Sequence, residues 1–140
     1  FGGTDQYNNV VDMLGKVLWL HSSDGASTTT IDGEDKRRGI ICRSGETAKT
    51  IIEGFTIKNC RSPWYDWNGN GQVDYWEYFG GGMWNRDGSN PTVASCNFMD
   101  NISEYGGGMY NGDENIVESN PTIIDLKIPP QSRFPATEKC

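Results

Sequence analysis

The chain of 140 residues has few of the residues that build helical bundles and zinc sites. It contains four leucines and four alanines, the strongest apolar helix formers, and a single histidine. No stretch approaches the roughly 18–20 consecutive apolar residues that a transmembrane helix needs. Lysine and arginine number 12 against 19 acidic residues, which gives a formal net charge of −7. We therefore expect no membrane span, no nucleic-acid partner and no binding to an anionic membrane surface.

What the chain has instead is glycine, asparagine, threonine and isoleucine, at 18, 12, 10 and 11 residues. β-Branched residues favour strands, while glycine and asparagine favour tight turns with positive φ. The length is that of one domain, and the 16 aromatic residues argue against intrinsic disorder. Composition therefore predicts a single all-β domain, residues 1–140, made of short strands joined by tight turns.

The four cysteines lack the C-x-x-C spacing of a zinc site, and one histidine adds little to such a site. An even number of cysteines is compatible with disulfides and with an oxidising compartment. Cys42 and Cys60 are the candidate disulfide, because they could lie across one turn of the fold. The sequence begins with Phe1, which indicates a processed product or a fragment.

An internal repeat organises the chain. The segment 80–85, Gly-Gly-Gly-Met-Trp-Asn, recurs as Gly-Gly-Gly-Met-Tyr-Asn at 106–111, and Ser-Asn-Pro-Thr-Val at 89–93 recurs as Ser-Asn-Pro-Thr-Ile at 119–123. One apolar trio also repeats three times at constant internal spacing. Its three copies are Ile52, Phe55 and Ile57; Val93, Cys96 and Phe98; and Ile123, Leu126 and Ile128.

The spacing within the repeat indicates strands. The last two residues of each trio are two positions apart, so their side chains face the same side of a strand. Repeats of about 25–30 residues made of strands and turns form a solenoid, in which equivalent strands pair above and below. The sequence predicts such a parallel β-helix of about four to five rungs. The alternative is a β-sandwich, whose turn signals would recur every 8–12 residues without near-copying.

These segments resemble a known family. Gly-Gly-Gly-Met-Tyr-Asn at 106–111, Thr-Ile-Ile-Glu-Gly-Phe-Thr-Ile at 50–57 and Phe-Met-Asp-Asn at 98–101 are similar to right-handed parallel β-helix repeat proteins of bacterial surfaces, including the polymorphic outer-membrane protein repeats. The resemblance covers residues 16–128, and the Cys-x-Phe part of the pattern is lost at 126–128. It implies a right-handed parallel β-helix in an exported protein. Activities in that group are diverse, so it implies no single function.

The insertion 61–79 contains a candidate calcium loop. Residues 66–77 fit the pattern D-x-[DN]-x-[DN]-G-x5-E at every constrained position and resemble EF-hand and dockerin-type loops. Oxygen ligands of this number favour Ca²⁺ over Mg²⁺, although Pro63 and the Gly-Gly-Gly run at 80–82 exclude long flanking helices. The other interpretation is an Asn-Gly turn cluster that contains acidic residues. The expected ligands are Asp66, Asn68, Asn70, the backbone carbonyl of Gln72, Asp74 and Glu77.

The aromatic residues concentrate in the same region, with eight of the 16 between residues 64 and 84. They indicate either a small core that folds the insertion onto the solenoid or a stacking platform for sugar rings. The two interpretations are compatible if some rings stay exposed. The candidate carbohydrate platform consists of Trp64, Trp67, Trp76 and Trp84.

Few other residues suggest chemistry. Asn101 lies in the only N-x-[ST] sequon without proline in the middle, so it is the candidate glycosylation site, although it also matches the corner asparagine of the repeat. No motif pairs His21 with a nucleophile, and the acidic pairs lie in turns. No catalytic constellation is visible, and we expect no enzymatic activity.

The sequence favours an exported structural protein, a cell-surface or extracellular fibre subunit that assembles head to tail and is stabilised by calcium. Its residues provide no amphipathic capping helix, and a solenoid without caps exposes its terminal strands. The expected partners are further copies of the chain, with the irregular tail 129–140 reaching onto a neighbour. The alternatives are a carbohydrate-binding or adhesion module that binds glycans, and a polysaccharide lyase or hydrolase.

Overall fold

The computed structural model describes residues 8–63, 66, 69–74, 78–112 and 118–131. Within these residues the regular secondary structure is made of short parallel strands, as the β-branched residues and frequent turn signals predict. The eleven strands found there are β1 (Asn9–Asp12), β2 (Trp19–His21), β3 (Thr30–Asp32), β4 (Arg38–Cys42), β5 (Ile51–Glu53), β6 (Thr56–Lys58), β7 (Met83–Asn85), β8 (Thr92–Ala94), β9 (Asn97–Met99), β10 (Met109–Asn111) and β11 (Thr122–Ile124).

The strands form three parallel sheets that run the length of the molecule. Sheet A has the order β1-β4-β7-β10, sheet B has β11-β8-β5-β2, and sheet C has β3-β6-β9. Every third strand along the chain thus returns to the same sheet, which is the topology of a parallel β-helix. The prediction of this fold is confirmed, with four rungs among the described residues. In the fourth rung, sheet C continues only as an isolated bridge between Asn97 and Lys127.

The register of the sheets matches the repeats in the sequence. Ile52 pairs with Val93, and Val93 pairs with Ile123, so the first members of the apolar trio stack in one column. Ile57 pairs with Phe98 in sheet C. The side chains of Ile52, Val93, Ile57 and Phe98 are fully buried inside the coil. The period-two spacing therefore identified the inward face of these strands correctly.

Glycine recurs in sheet A because two parts of the backbone approach closely there. A Cβ on Gly39 would lie 2.3 Å from the carbonyl oxygen of Gly82, and a Cβ on Gly82 would lie 2.4 Å from that of Gly108. The three glycines form a column at the narrow interior of the coil, where no side chain fits. Their stacking gives the repeated Gly-Gly-Gly segments a structural cause.

A tight corner between sheets B and C also repeats from rung to rung. Gly54, Ser95 and Asp125 occupy equivalent positions and have φ of 79°, 49° and 47°. Each lies one residue after a sheet B strand and turns the chain toward the next inward residue of the trio. Glycine accepts this left-handed conformation freely, and short polar residues accept it at modest cost.

Candidate functional site

The inserted segment joins the second rung to the third and is fixed to the solenoid at both ends. On the entering side, Arg61 forms a parallel bridge with Ile102, and the Ser62 N–H donates to the Ile102 carbonyl at 3.1 Å. On the returning side, Phe79 forms a parallel bridge with Tyr105. The candidate calcium loop therefore lies between two backbone anchors on the connection from the third rung to the fourth.

Hydrogen bonds from the side chains of Asp66, Asn70 and Asp74 hold the described part of the loop in a turn. The Asp66 carboxylate accepts the backbone N–H groups of Asn70 at 3.0 Å and Gly71 at 2.6 Å. The Asn70 amide oxygen accepts the N–H of Gln72 at 2.9 Å, and its nitrogen donates to Asp74 at 2.8 Å. Gly71 has φ of 89°, which is the sharp turn that the motif requires at this position.

The described part of the loop contains two carboxylates of the motif, those of Asp66 and Asp74. Across the described residues, no group of three or more His, Cys, Asp or Glu side chains is placed to hold a metal ion. The third carboxylate of the motif, Glu77, and the amide of Asn68 lie outside the described residues, as do Trp64, Trp67 and Trp76. Four of the six expected ligands therefore lie within the described residues, and calcium binding stays a prediction.

Trp84 is excluded from the predicted carbohydrate platform. Its side chain is fully buried in an outer cluster with Ile41, against which Phe79 and Tyr110 pack. Its indole N–H donates to the Gly112 carbonyl at 2.9 Å. A sugar needs an exposed ring face, and Trp84 has none, so this member of the prediction was wrong. The cluster is instead the small core that attaches the end of the insertion to sheet A.

The guanidinium of Arg38 also holds the end of the insertion against sheet A. It is fully buried and donates to the carbonyl of Gly80 at 2.9 Å and, through another nitrogen, to that of Phe79 at 2.9 Å. It also lies 4.9 Å from the centroid of the Trp84 ring, at cation–π distance. Arg38 thus satisfies the carbonyl groups where the returning chain enters β7.

The glycosylation prediction at Asn101 is wrong for the folded protein. The Asn101 side chain is fully buried, its oxygen accepts the Cys60 N–H at 3.0 Å, and its nitrogen donates to the Ile57 carbonyl at 3.0 Å. A glycan on that nitrogen would have no path to solvent. Asn101 therefore acts as the internal corner asparagine of the repeat, the alternative noted from the sequence.

The predicted disulfide between Cys42 and Cys60 is not formed, and both thiols are free and buried. The Cys60 sulfur lies 3.0 Å from the position that a Cβ on Gly39 would occupy. Cys42 lies three residues farther along the same strand, roughly 10 Å away, whereas a disulfide needs Cβ atoms about 3.5–4.5 Å apart. Burial raises the pKa of Cys60 to about 12, so this thiol is protonated and unreactive at neutral pH.

The carboxyl-terminal end of the solenoid leaves apolar side chains exposed. Ile123 and Ile128 are 47% and 46% exposed, although Val93, which pairs with Ile123, and Phe98 in the rung before are fully buried. Sheet C is closed at this end by Gln131, whose amide nitrogen donates to the Phe98 carbonyl at 3.2 Å and whose oxygen accepts the Asn101 N–H at 3.0 Å. The open strands at this end are therefore β10 and β11.

Sequence reasoning missed two residues that the structure makes prominent. Glu46 is a buried carboxylate that accepts hydrogen bonds from Gly15 and Ser89, residues of two other rungs. Nothing local distinguishes it from an acid in a solvated turn. Trp19 is exposed on the outside of sheet B. Because side chains alternate along a strand and Leu20 is apolar, the sequence could have predicted that Trp19 faces outward.

No protein-family model, curated protein or solved structure matches the chain. In the part of the chain that the structure describes, no helix is long and apolar enough to cross a bilayer.

Proposed function

We propose that the protein is an exported structural subunit, which assembles end to end into a cell-surface or extracellular fibre and is stabilised by calcium. The observation that carries the proposal is the exposed end of the interior column at Ile123. In the rungs below, the same column is fully buried at Ile52 and Val93. Another layer of the same geometry would cover Ile123, and a second copy of the chain supplies one.

The opposite end of the solenoid has matching strands. β2 is the first strand of sheet B, and its Leu20 pairs with Ile52 in the column that ends at Ile123. In a head-to-tail stack, Leu20 of the next copy would follow Ile123 in that column. Leu14 and Val17, which are exposed near this end, add apolar surface to the same contact. Such a contact joins unlike surfaces and so extends without closing.

The closed edge of sheet C restricts how copies stack. Gln131 already bonds the Phe98 carbonyl and the Asn101 N–H, which a strand of a fourth sheet C layer would otherwise occupy. Among the described residues, no side chain occupies the edges of β10 in sheet A and β11 in sheet B in the way that Gln131 occupies sheet C. The proposed junction therefore pairs β10 with β1 and β11 with β2 of the next copy.

An exchange of Ile123 for aspartate tests the assembly. Because a desolvated carboxylate at the junction is costly, Ile123→Asp should remain monomeric under conditions where the natural chain forms larger species. Sedimentation velocity over a wide range of protein concentration, at millimolar calcium, measures the difference. The melting temperature of the variant should change little, since Ile123 is already 47% exposed.

The matched control is Ala48→Asp, which adds the same charge at an exposed position of the second rung, away from both ends. This variant should assemble like the natural chain. A natural chain that stays monomeric at every concentration would contradict the proposal, and so would equal loss of assembly in both variants.

Calcium suits the donors of the loop. The atoms of Asp66, Asn70 and Asp74 that can ligate a cation are oxygens, which hard cations prefer. When bound, the ion would neutralise carboxylates that otherwise repel one another within a chain of net charge −7. A single loop of this type binds at roughly 10⁻⁴–10⁻³ M, as in extracellular modules. An exported setting with millimolar calcium would fill a site of this affinity.

Calcium should raise the stability of the natural chain. A ten- to hundredfold excess over the dissociation constant corresponds to roughly 1.4–2.7 kcal/mol in the free energy of unfolding. Asp74→Asn keeps an oxygen that can accept from Asn70 but removes one charge, and it should lose most of this gain. Thermal unfolding with calcium and with a chelator measures both.

Asp24→Asn is the control for the calcium experiment, because Asp24 is an exposed acid in a turn of the first rung. Its response to calcium should equal that of the natural chain. Calcium binding at the loop would be refuted if the natural chain melted at the same temperature with calcium and with chelator.

A further inference from the structure

We propose that the outer face of sheet B carries a binding site for a neutral glycan, formed by Trp19, His21 and Glu53. The site is separate from the calcium loop, and the proposal does not depend on end-to-end assembly. It places the sugar-stacking surface on a tryptophan outside the aromatic-rich insertion.

The alternation of β2 places two aromatic side chains on the outside. Leu20 packs against the interior core, so Trp19 and His21 on either side of it face outward. Their rings stack with centroids 4.0 Å apart and planes inclined by 24°. One face of the indole is thus covered by His21. The other face is directed to solvent, and Trp19 remains 58% exposed.

Glu53 fixes the orientation of the exposed indole. It lies opposite His21 in the neighbouring strand β5, and its carboxylate accepts the Trp19 ring N–H at 2.8 Å. The indole is therefore held both by this hydrogen bond and by the stacked imidazole. A side chain that is ordered before the ligand arrives loses less conformational entropy on binding. An exposed aromatic ring that is already held in place is suited to bind a ligand.

The chemistry of these three residues matches a pyranose. A sugar ring presents C–H groups on its apolar faces, which stack on an aromatic face. Its hydroxyl groups are both donors and acceptors, and they can bond to a carboxylate and to an imidazole. The net charge of −7 and the carboxylate of Glu53 disfavour an anionic polysaccharide. The occupant that fits is therefore an uncharged glycan.

Affinity gel electrophoresis tests the site with defined probes. Soluble β-1,4-glucan, mannan and xylan serve as neutral polysaccharides, and polygalacturonate serves as the anionic comparison. At least one neutral probe should retard the natural chain more than polygalacturonate does. Trp19→Ala should weaken this binding about tenfold, the scale of one lost aromatic contact.

Two further variants identify the contribution of each group. Glu53→Gln keeps an oxygen that accepts the indole N–H, so it should bind about as well as the natural chain, whereas Glu53→Ala should bind more weakly. Tyr105→Ala removes a ring of similar exposure from another part of the solenoid and should leave binding unchanged. Circular dichroism melting verifies that each variant is folded.

Three results would overturn the proposal. The first is that no neutral probe retards the natural chain. The second is that folded Trp19→Ala binds like the natural chain, and the third is that polygalacturonate binds more tightly than every neutral probe. Each of these measurements can be made on the monomer, so failure of assembly would not be mistaken for failure of the glycan site.

Discussion

Gly82→Ala is expected to destabilise the protein by more than about 3 kcal/mol, above the usual 1–3 kcal/mol for an overpacked core. The added Cβ would lie 2.4 Å from the Gly108 carbonyl oxygen and 2.8 Å from a ring carbon of Phe98. The first obstacle is backbone of the next rung, which is held by the Met83 N–H bond to the same carbonyl at 2.9 Å. Relief of the clash therefore requires two rungs to separate. Urea unfolding followed by circular dichroism measures the loss.

The control for this substitution is Gly45→Ala. Gly45 has φ of 71°, and no heavy atom lies within 4 Å of the position that a Cβ would occupy, so alanine there introduces backbone strain without a clash. The expected cost is about 1 kcal/mol. Equal stability losses in Gly82→Ala and Gly45→Ala would show that the close approach of rungs does not explain the glycine column.

Much of the fold was predictable because the repeats are nearly copies of one another. The columns through Ile52, Val93 and Ile123 and through Met83 and Met109 follow directly from the offsets between similar segments. In a solenoid, equivalent residues of neighbouring rungs are also neighbours in space. Aligning one repeat with the next therefore predicts which residues pair between rungs. A β-sandwich without repeats would not allow such a prediction.

The first rung was harder to identify because its spacing differs. Ile52 and Ile57 are five positions apart, whereas their partners Leu20 and Ile31 are eleven apart. The longer corner is stabilised by its own polar contacts, including a 2.6 Å hydrogen bond between the hydroxyl groups of Ser22 and Thr29. The longer corner changes the sequence offset between equivalent residues of the first and second rungs. Leu20 and Ile31 nevertheless remain paired with Ile52 and Ile57.

The candidate sites were less predictable than the fold, because burial of an outward side chain depends on distant residues. Trp84 faces outward from β7, and local alternation alone predicts that it is exposed. The chain returning from the insertion places the Phe79 ring centroid 5.7 Å from that of Trp84, and Trp84 is buried as a result. Asn101 likewise carries a local sequon, yet its hydrogen-bond partners lie 41 and 44 residues away. No short motif contains that information.

The buried carboxylate of Glu46 joins three rungs at one corner. One oxygen accepts the Gly15 N–H of the first rung at 2.8 Å. The other accepts the Ser44 N–H at 3.0 Å and the Ser89 hydroxyl of the third rung at 2.6 Å. Glu46→Ala leaves these donors without an acceptor, and the expected loss is about 3–5 kcal/mol in the free energy of unfolding. Glu46→Gln should lose less, about 1–3 kcal/mol, because the amide retains one acceptor oxygen.

The contribution of Glu46 should also depend on pH. Burial by itself would raise the pKa of this carboxyl, but the hydrogen bonds from Ser89, Ser44 and Gly15 outweigh burial and lower it. Because the pKa is lower in the folded than in the unfolded chain, the stabilisation is complete above the unfolded value of about 4.3. It is lost as the pH falls through the folded value, where both states become protonated.

The difference in unfolding free energy between the natural chain and Glu46→Gln should therefore be largest near neutral pH and shrink in acid. Urea titrations from about pH 7 to pH 3 measure it. Every other acid is present in both proteins, so the difference isolates Glu46. Glu34→Gln, at an exposed acid, should show no such trend. A difference that stayed constant down to pH 3 would mean that Glu46 joins the rungs by shape rather than by charge.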